Sequence, residues 1–384
     1  MVPKTYSSAL KSYLSLSLFS VLVVASQIAL PYPKGTPFGT ALTIGQLTDE
    51  SRMDPWAPTP RARKLMVSMF YPVPRQRCRN VVKVPYMPPT TATVLASQIF
   101  GLPNGTFQSF DLQVCKPAST SSVDLYGHPV AIYSPGFTSS RLLSSGIAQA
   151  ISSTGYVVVM MDHPYDAGFV EFPDGDMIPH SPETDNRIDE AVNTRVADTQ
   201  FVLNKLSTKA GLRHLVPGVF RGLSVKRVAM FGHSLGGATA FAAMFSETRI
   251  LGGFDLDGSL YGYPKSEELP KDRSFALIGT PTHNSTNDVT WQDALAQVKG
   301  WKKELVLAGS GHFTFTDGPL MIRLAGLQGI LGPELEAQLG TLEGYRVFKI
   351  LTTYVTAFID FVIKKQSPTL FDAESPKFPE VAVL

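Results

Sequence analysis

Residues 225–240, Val-Lys-Arg-Val-Ala-Met-Phe-Gly-His-Ser-Leu-Gly-Gly-Ala-Thr-Ala, constrain this chain more than any other stretch. An apolar run at residues 228–231 leads into the glycine-flanked Ser234, and small, helix-compatible residues follow from Ala238 to Met244. The pattern is a buried strand, a sharp turn and a helix start. Gly232 and Gly236 let the backbone fold tightly enough to push the Ser234 hydroxyl outward at the apex, where it is built for nucleophilic attack. The pentapeptide Gly-x-Ser-x-Gly alone is a weak signal, and the strand and helix flanks make it specific.

The chain is long enough, at 384 residues and 44% apolar content, to bury a large core, and no repeat breaks it up. One domain spanning residues 26–384 is the expectation. Before it, Lys4 and Lys11 precede an apolar run at residues 14–25 that ends in small residues, the plan of a secretory signal peptide at 1–25. That run is short for a membrane span. Its removal would take away two lysines and no acid, bringing the formal charge of +2 to about zero, so nucleic acid is not an expected partner. On the secretory route Asn104-Gly-Thr and Asn284-Ser-Thr become glycosylation sites on surface loops. The only two cysteines, Cys78 and Cys115, then read as one disulfide, closing a loop worth roughly 3–4 kcal/mol in the chain-entropy model.

In chain order, a short strand is expected at 41–44 and an early sheet strand at 64–71, followed by a long Pro- and Ser-rich excursion at 73–125 that carries both cysteines. Residues 129–137 read as a strand stopped by a Pro-Gly turn, 142–153 as a helix and 156–161 as a buried strand. Strand, helix, buried strand is the signature of a mostly parallel sheet with helices on both faces. Residues 186–206 carry apolar side chains at helical spacing. Further strands are expected at 252–257, 274–279 and 301–308, apolar helices at 320–331 and 343–364, and a loose C-terminal tail from about 367.

A serine hydroxyl needs a base within reach and a carboxylate to orient that base. In an α/β-hydrolase fold the chain order is Ser, acid, His. Only His283 and His312 follow Ser234; His312, in a Gly-Ser-Gly-His turn after the last expected strand, is the candidate base, whereas His283 beside a sequon reads as solvated. Three acids compete. Asp255 and Asp257 share one strand and, by the two-residue period, one face, while Asp288 follows the next strand and lies near a sequon, which argues for exposure. Asp257 is the better placed of the pair, with Asp255 a structural carboxylate beneath the site. The oxyanion donors expected are the backbone N–H groups of Leu235 and Phe137. Scattered histidines and the lack of metal-ligand spacing predict no metal and no cofactor.

These residues resemble the plasma-type platelet-activating factor acetylhydrolases, secreted calcium-independent α/β-hydrolases that cleave short acyl chains from phospholipids. The resemblance runs from about residue 66 to 363. It is carried by residues 66–72, by the Gly155-Tyr-Val-Val-Val-Met-Met-Asp-His163 run, by residues 232–239, by Leu256-Asp257 and by Gly311-His312-Phe313. Asp257 and His312 lie 23 and 78 residues beyond Ser234, spacings that agree with the family's triad and imply Asp257 as the acid. An activity on esters such as 1-alkyl-2-acetylglycerophosphocholine is implied. Where the family usually has a His-Gly turn this chain has Ser134-Pro-Gly-Phe-Thr138, which is similar to cutinase-like polyesterases, and a His-Arg-Asp triplet becomes His163-Pro-Tyr-Asp166. His163 is expected to be structural, satisfied by nearby backbone. A cutinase-like esterase is therefore the alternative enzyme reading. A hydrolase fold kept as a binding module is the non-enzyme alternative, disfavoured because every triad member is present. The apolar residues crowded after His312, among them Leu324, Leu327 and Ile330, suggest either core packing or association with a lipid surface. Oligomeric state is not legible.

Overall fold

A computed structural model describes residues 27–116 and 123–384. The signal-peptide reading of 1–25 lies outside the described residues. Among the described residues, nine strands form one sheet: β1 (Phe38–Met53), β2 (Ala62–Pro74), β3 (Val130–Ser134), β4 (Val157–Asp162), β5 (Val228–His233), β6 (Ile250–Leu256), β7 (Ser274–Gly279), β8 (Lys302–Leu307) and β9 (Val381–Val383). Their order is β9-β8-β7-β6-β5-β3-β4-β2-β1. From β4 to β8 all neighbours are parallel, and antiparallel strands close both edges.

The continuous apolar runs of the central strands follow from burial on both faces. Val130, Ile132, Val157, Val159, Met230 and Leu277 point to one side, into a core built with α2 (Ile188–Leu206), α3 (Leu235–Ser246) and α4 (Val289–Gln297). Their alternates Ala131, Tyr133, Val158, Phe231 and Ile278 point to the other side, against α1 (Ser145–Ser152), α5 (Gly318–Ala325) and α6 (Gly344–Lys364). This is the α/β-hydrolase architecture that the strand-helix alternation predicts. Cys78 and Cys115 are joined in a disulfide, with Cα atoms 5.2 Å apart, beside a small sheet made of Ile28–Ala29, Val81–Pro85 and Phe110–Cys115.

Three local expectations need correction. The short strand at 41–44 is part of the sixteen-residue β1, which pairs with β2 along nearly its whole length; its many Thr and Gly residues hid a strand whose pairing is made by the backbone. The helix expected at 320–331 ends at Ala325, because Gly326 takes a left-handed φ of 66° and caps it. The C-terminal residues from about 367 are not loose: Phe371 and Phe378 are buried in the core around α6, and β9 pairs with β8 as an edge strand. Prolines 368, 376 and 379 break helices, but two aromatic anchors are enough to dock an irregular segment.

Candidate active site

The site lies at the C-terminal ends of β3, β5, β6, β7 and β8, the edge where parallel strands open toward loops. β5 stops at His233, and Ser234 turns the chain into α3 with φ 54° and ψ −125°, a conformation that L-residues avoid. The flanking glycines are required by contact. A Cβ on Gly232 would come 2.2 Å from the Gly236 carbonyl carbon, and one on Gly236 would come 1.9 Å from the Ser134 carbonyl oxygen. The turn is thus pressed against β3 and its hydroxyl has only the outward side left.

Just past β6, Asp257 also has a left-handed φ, of 61°. That turn overturns the expectation that Asp255 and Asp257 share a face: Asp255 stays in the strand and points beneath α3, whereas Asp257 swings up to the site. Asp255 is fully buried, accepts the Gly258 N–H at 3.1 Å, and burial pushes its carboxyl well up. Asp257 Oδ2 lies 2.6 Å from His312 Nδ1. His312 sits in the turn after β8, and its carbonyl accepts a 2.9 Å hydrogen bond from Nε2 of His233, whose ring is 4.6 Å away, centroid to centroid. Burial, together with the nearby His312, holds His233 down at about 3, so it is a neutral prop for the His312 loop. Ser234 is half-exposed, and its Oγ makes no hydrogen bond among the described residues.

Opposite the elbow, the Ser134–Thr138 turn approaches so closely that a Cβ on Gly136 would lie 3.2 Å from Ser234 Cβ. The Phe137 and Leu235 N–H groups donate to no acceptor among the described residues, whereas Thr138 N–H is already bonded to the Asp166 carbonyl at 3.0 Å. A buried guanidinium aims this turn. Arg195 binds Asp166 through two nitrogens and donates to the Pro135 and Gly136 carbonyls, which fixes the turn from its inner side. His163 is fully buried, and its partners are side chains rather than the expected backbone: Asp198 at 2.9 Å and Ser134 Oγ at 3.0 Å. Asp198 in turn is bound by buried Arg63 at 2.8 Å.

Two further expectations change. His283 is not solvated; it lies between Asp257 and Asp288, at 3.0 and 2.8 Å. Asp288 is not exposed either but caps α4, accepting the Thr290 N–H at 2.7 Å, and it does not touch His312. Sequence reasoning missed Arg195 altogether and named Asp166 only as the end of the His163–Asp166 stretch, without its partner. The signal available was periodicity, since Arg195 and Asp198 occupy the apolar stripe of α2 with Val192, Val196 and Val202. Asn104 is exposed and Asn284 half-exposed. Among the described residues, no group of three or more His, Cys, Asp or Glu side chains is placed to hold a metal ion, and no helix is long and apolar enough to cross a membrane.

Sequence comparison adds to this geometry. Over 94% of its length the chain is 32% identical to a protein of Arthroderma benhamiae named "Probable 1-alkyl-2-acetylglycerophosphocholine esterase", covering 95% of that protein. The chain belongs to the platelet-activating factor acetylhydrolase family. Residues 217–365, which hold β5 to β8 and all three candidate triad residues, match the family model described as "Platelet-activating factor acetylhydrolase, isoform II". The platelet-activating factor acetylhydrolase of Cavia porcellus is 24% identical over 55% of each chain. Among solved structures, a ferulic acid esterase from Streptomyces cinnamoneus superposes with a TM-score of 0.76 at 30% identity, covering 94% of this chain and all of that one. This platelet-activating factor acetylhydrolase relative is a carboxylic ester hydrolase with the α/β-hydrolase fold. Its Ser134–Thr138 turn lies against the elbow, with Gly136 facing Ser234 and His233.

Proposed function

We propose that the protein is a secreted, calcium-independent serine esterase acting on short-acyl phospholipids of the 1-alkyl-2-acetylglycerophosphocholine type. In this reading Ser234 Oγ attacks the ester carbonyl carbon and His312 Nε2 takes the hydroxyl proton. Asp257 holds Nδ1–H so that Nε2 is the accepting nitrogen. The tetrahedral oxyanion is held by the N–H groups of Leu235 and Phe137; its collapse expels the lysophospholipid alkoxide, which takes the proton from His312, and leaves an acyl ester on Ser234. Water, deprotonated by His312, repeats the sequence and releases the carboxylic acid.

The observation that carries the reading is the 2.6 Å contact of Asp257 with His312 beside the strained Ser234 elbow. The name of the Arthroderma benhamiae relative supports the phospholipid substrate. The Cys78–Cys115 disulfide and exposed Asn104 support passage through an oxidising, glycosylating route. A second reading, an esterase for aromatic or polyester acyl groups, is favoured by the Ser134–Thr138 turn and the likeness to the ferulic acid esterase.

The experiment compares kcat/KM for an sn-2 acetyl phospholipid, its long-chain analogue, methyl ferulate and p-nitrophenyl acetate, with Ser234→Ala as control. The phospholipid reading expects the short-acyl phospholipid to exceed methyl ferulate by at least tenfold, with no effect of EDTA. The opposite ranking moves the protein to the second reading, and activity retained by Ser234→Ala removes the serine mechanism.

A further inference from the structure

Each ring nitrogen of His283 faces a carboxylate oxygen: Nδ1 lies 3.0 Å from Asp257 Oδ1 and Nε2 lies 2.8 Å from Asp288 Oδ2. A neutral imidazole has one N–H and one lone pair, so either tautomer would set a lone pair against an anion. Only the imidazolium, a donor at both nitrogens, satisfies both contacts. The partners are fixed in turn. Asp257 Oδ1 also accepts the Thr280 N–H at 2.9 Å, and Asp288 accepts Ser259 Oγ at 2.5 Å and Thr290 N–H at 2.7 Å. The ring itself leans on Trp291, 4.7 Å between centroids.

We propose that His283 is a positioning residue for the hydrolysis, a doubly donating imidazolium that clamps the Asp257 carboxylate and sets a standing positive charge behind the group that orients His312. The proposal rests on the triad assignment above. Burial works against the charge on His283, but the carboxylates of Asp257 and Asp288 push its titration up to about 10; burial likewise works against the charge on Asp257, which the imidazoles of His283 and His312 hold down at about 2.

With Oδ1 taken by His283 and the Thr280 N–H, Asp257 has one orientation in which Oδ2 meets His312. The titratable groups around the clamp are Asp255 and Asp257 from the end of β6, Tyr261 after it, Asp288 from α4, Glu304 of β8, which accepts the Ser285 N–H at 2.7 Å, and the His312–His233 pair. Burial pushes the Asp255 carboxyl well up, and Asp288 is the carboxylate that meets the far side of the ring.

Nitrogen-15 NMR of the full chain tests the charge directly. Both His283 nitrogens should show protonated-imidazolium shifts and two slowly exchanging protons from pH 6 to 8.5; a neutral ring at pH 7 overturns the proposal whatever the kinetics. His283→Gln should lower kcat on p-nitrophenyl acetate about tenfold with KM nearly unchanged. An unchanged kcat while only the melting temperature falls would make His283 a mere support and also overturn the proposal. Failure of the triad reading looks different: Ser234→Ala would keep its activity while the His283 spectrum remained that of an imidazolium.

Discussion

Replacing Asp257 by Asn removes one charge and turns one oxygen into an NH2 group, and the surroundings decide where that NH2 must point. His283, charged and hydrogen-bonded on both sides, needs an acceptor at 3.0 Å, and the Thr280 N–H needs the same atom at 2.9 Å. The amide oxygen therefore stays on that side and the NH2 turns toward His312, 2.6 Å away. His312 must then present Nδ1 as a lone pair and carry its proton on Nε2, where it cannot accept the proton of Ser234. A wrong tautomer of this kind costs on the order of 10⁴ in kcat, about 5.5 kcal/mol at 1.36 kcal/mol per decade. Asp288→Asn leaves the Asp257–His312 contact intact and only loosens His283, so its loss should stay within about tenfold. The assay is kcat and KM on p-nitrophenyl acetate at pH 8, with thermal melts to establish that both variants fold. Asp257→Asn retaining more than about one per cent of kcat, or Asp288→Asn falling below it, would refute this assignment of roles.

Other outcomes are expected. Gly237→Ala, ordinarily a gain in a helix of about 0.5–1 kcal/mol, should destabilise instead, because its Cβ would lie 1.5 Å from Asp255 Oδ1; a rise in melting temperature would contradict the packing beneath α3. Stability should fall above neutral pH: His283 titrates near 10 when folded against about 6.5 when unfolded, so its contribution is full below pH 6.5 and lost as pH rises through 10. Melts of His283→Gln should show a shallower decline over pH 7–10, and parallel curves would count against the shift. Ile330 is 70% exposed whereas Leu327 is half-buried against the core. Leu327→Asp should therefore lower the melting temperature, while Ile330→Asp should spare it and weaken binding to phosphatidylcholine vesicles if this loop meets lipid; unchanged vesicle binding would remove the loop from any lipid contact.

Much of this protein was determined by the sequence alone, because its signals are local. Gly232, Ser234 and Gly236 specify a turn that only one backbone path satisfies, and the unbroken apolar runs at β3, β4 and β7 require helices over both faces. His312 stood out because only two histidines follow the nucleophile in the chain. The choice among acids was not local: a two-residue period put Asp255 and Asp257 on one face, and only the left-handed turn at Asp257 separated them. The fates of His283 and Asp288 were decided the same way, since proximity to a sequon says nothing about the carboxylate that a folded loop brings within 3 Å. Arg195 was hidden for a related reason. A charge on an apolar helical stripe is anomalous in sequence, but what it holds, the Pro135–Gly136 turn some sixty residues earlier, exists only after the sheet has assembled. Tertiary structure decided these cases because a buried charge is stabilised by partners that surround it in space, and neither composition nor spacing records which partners those are.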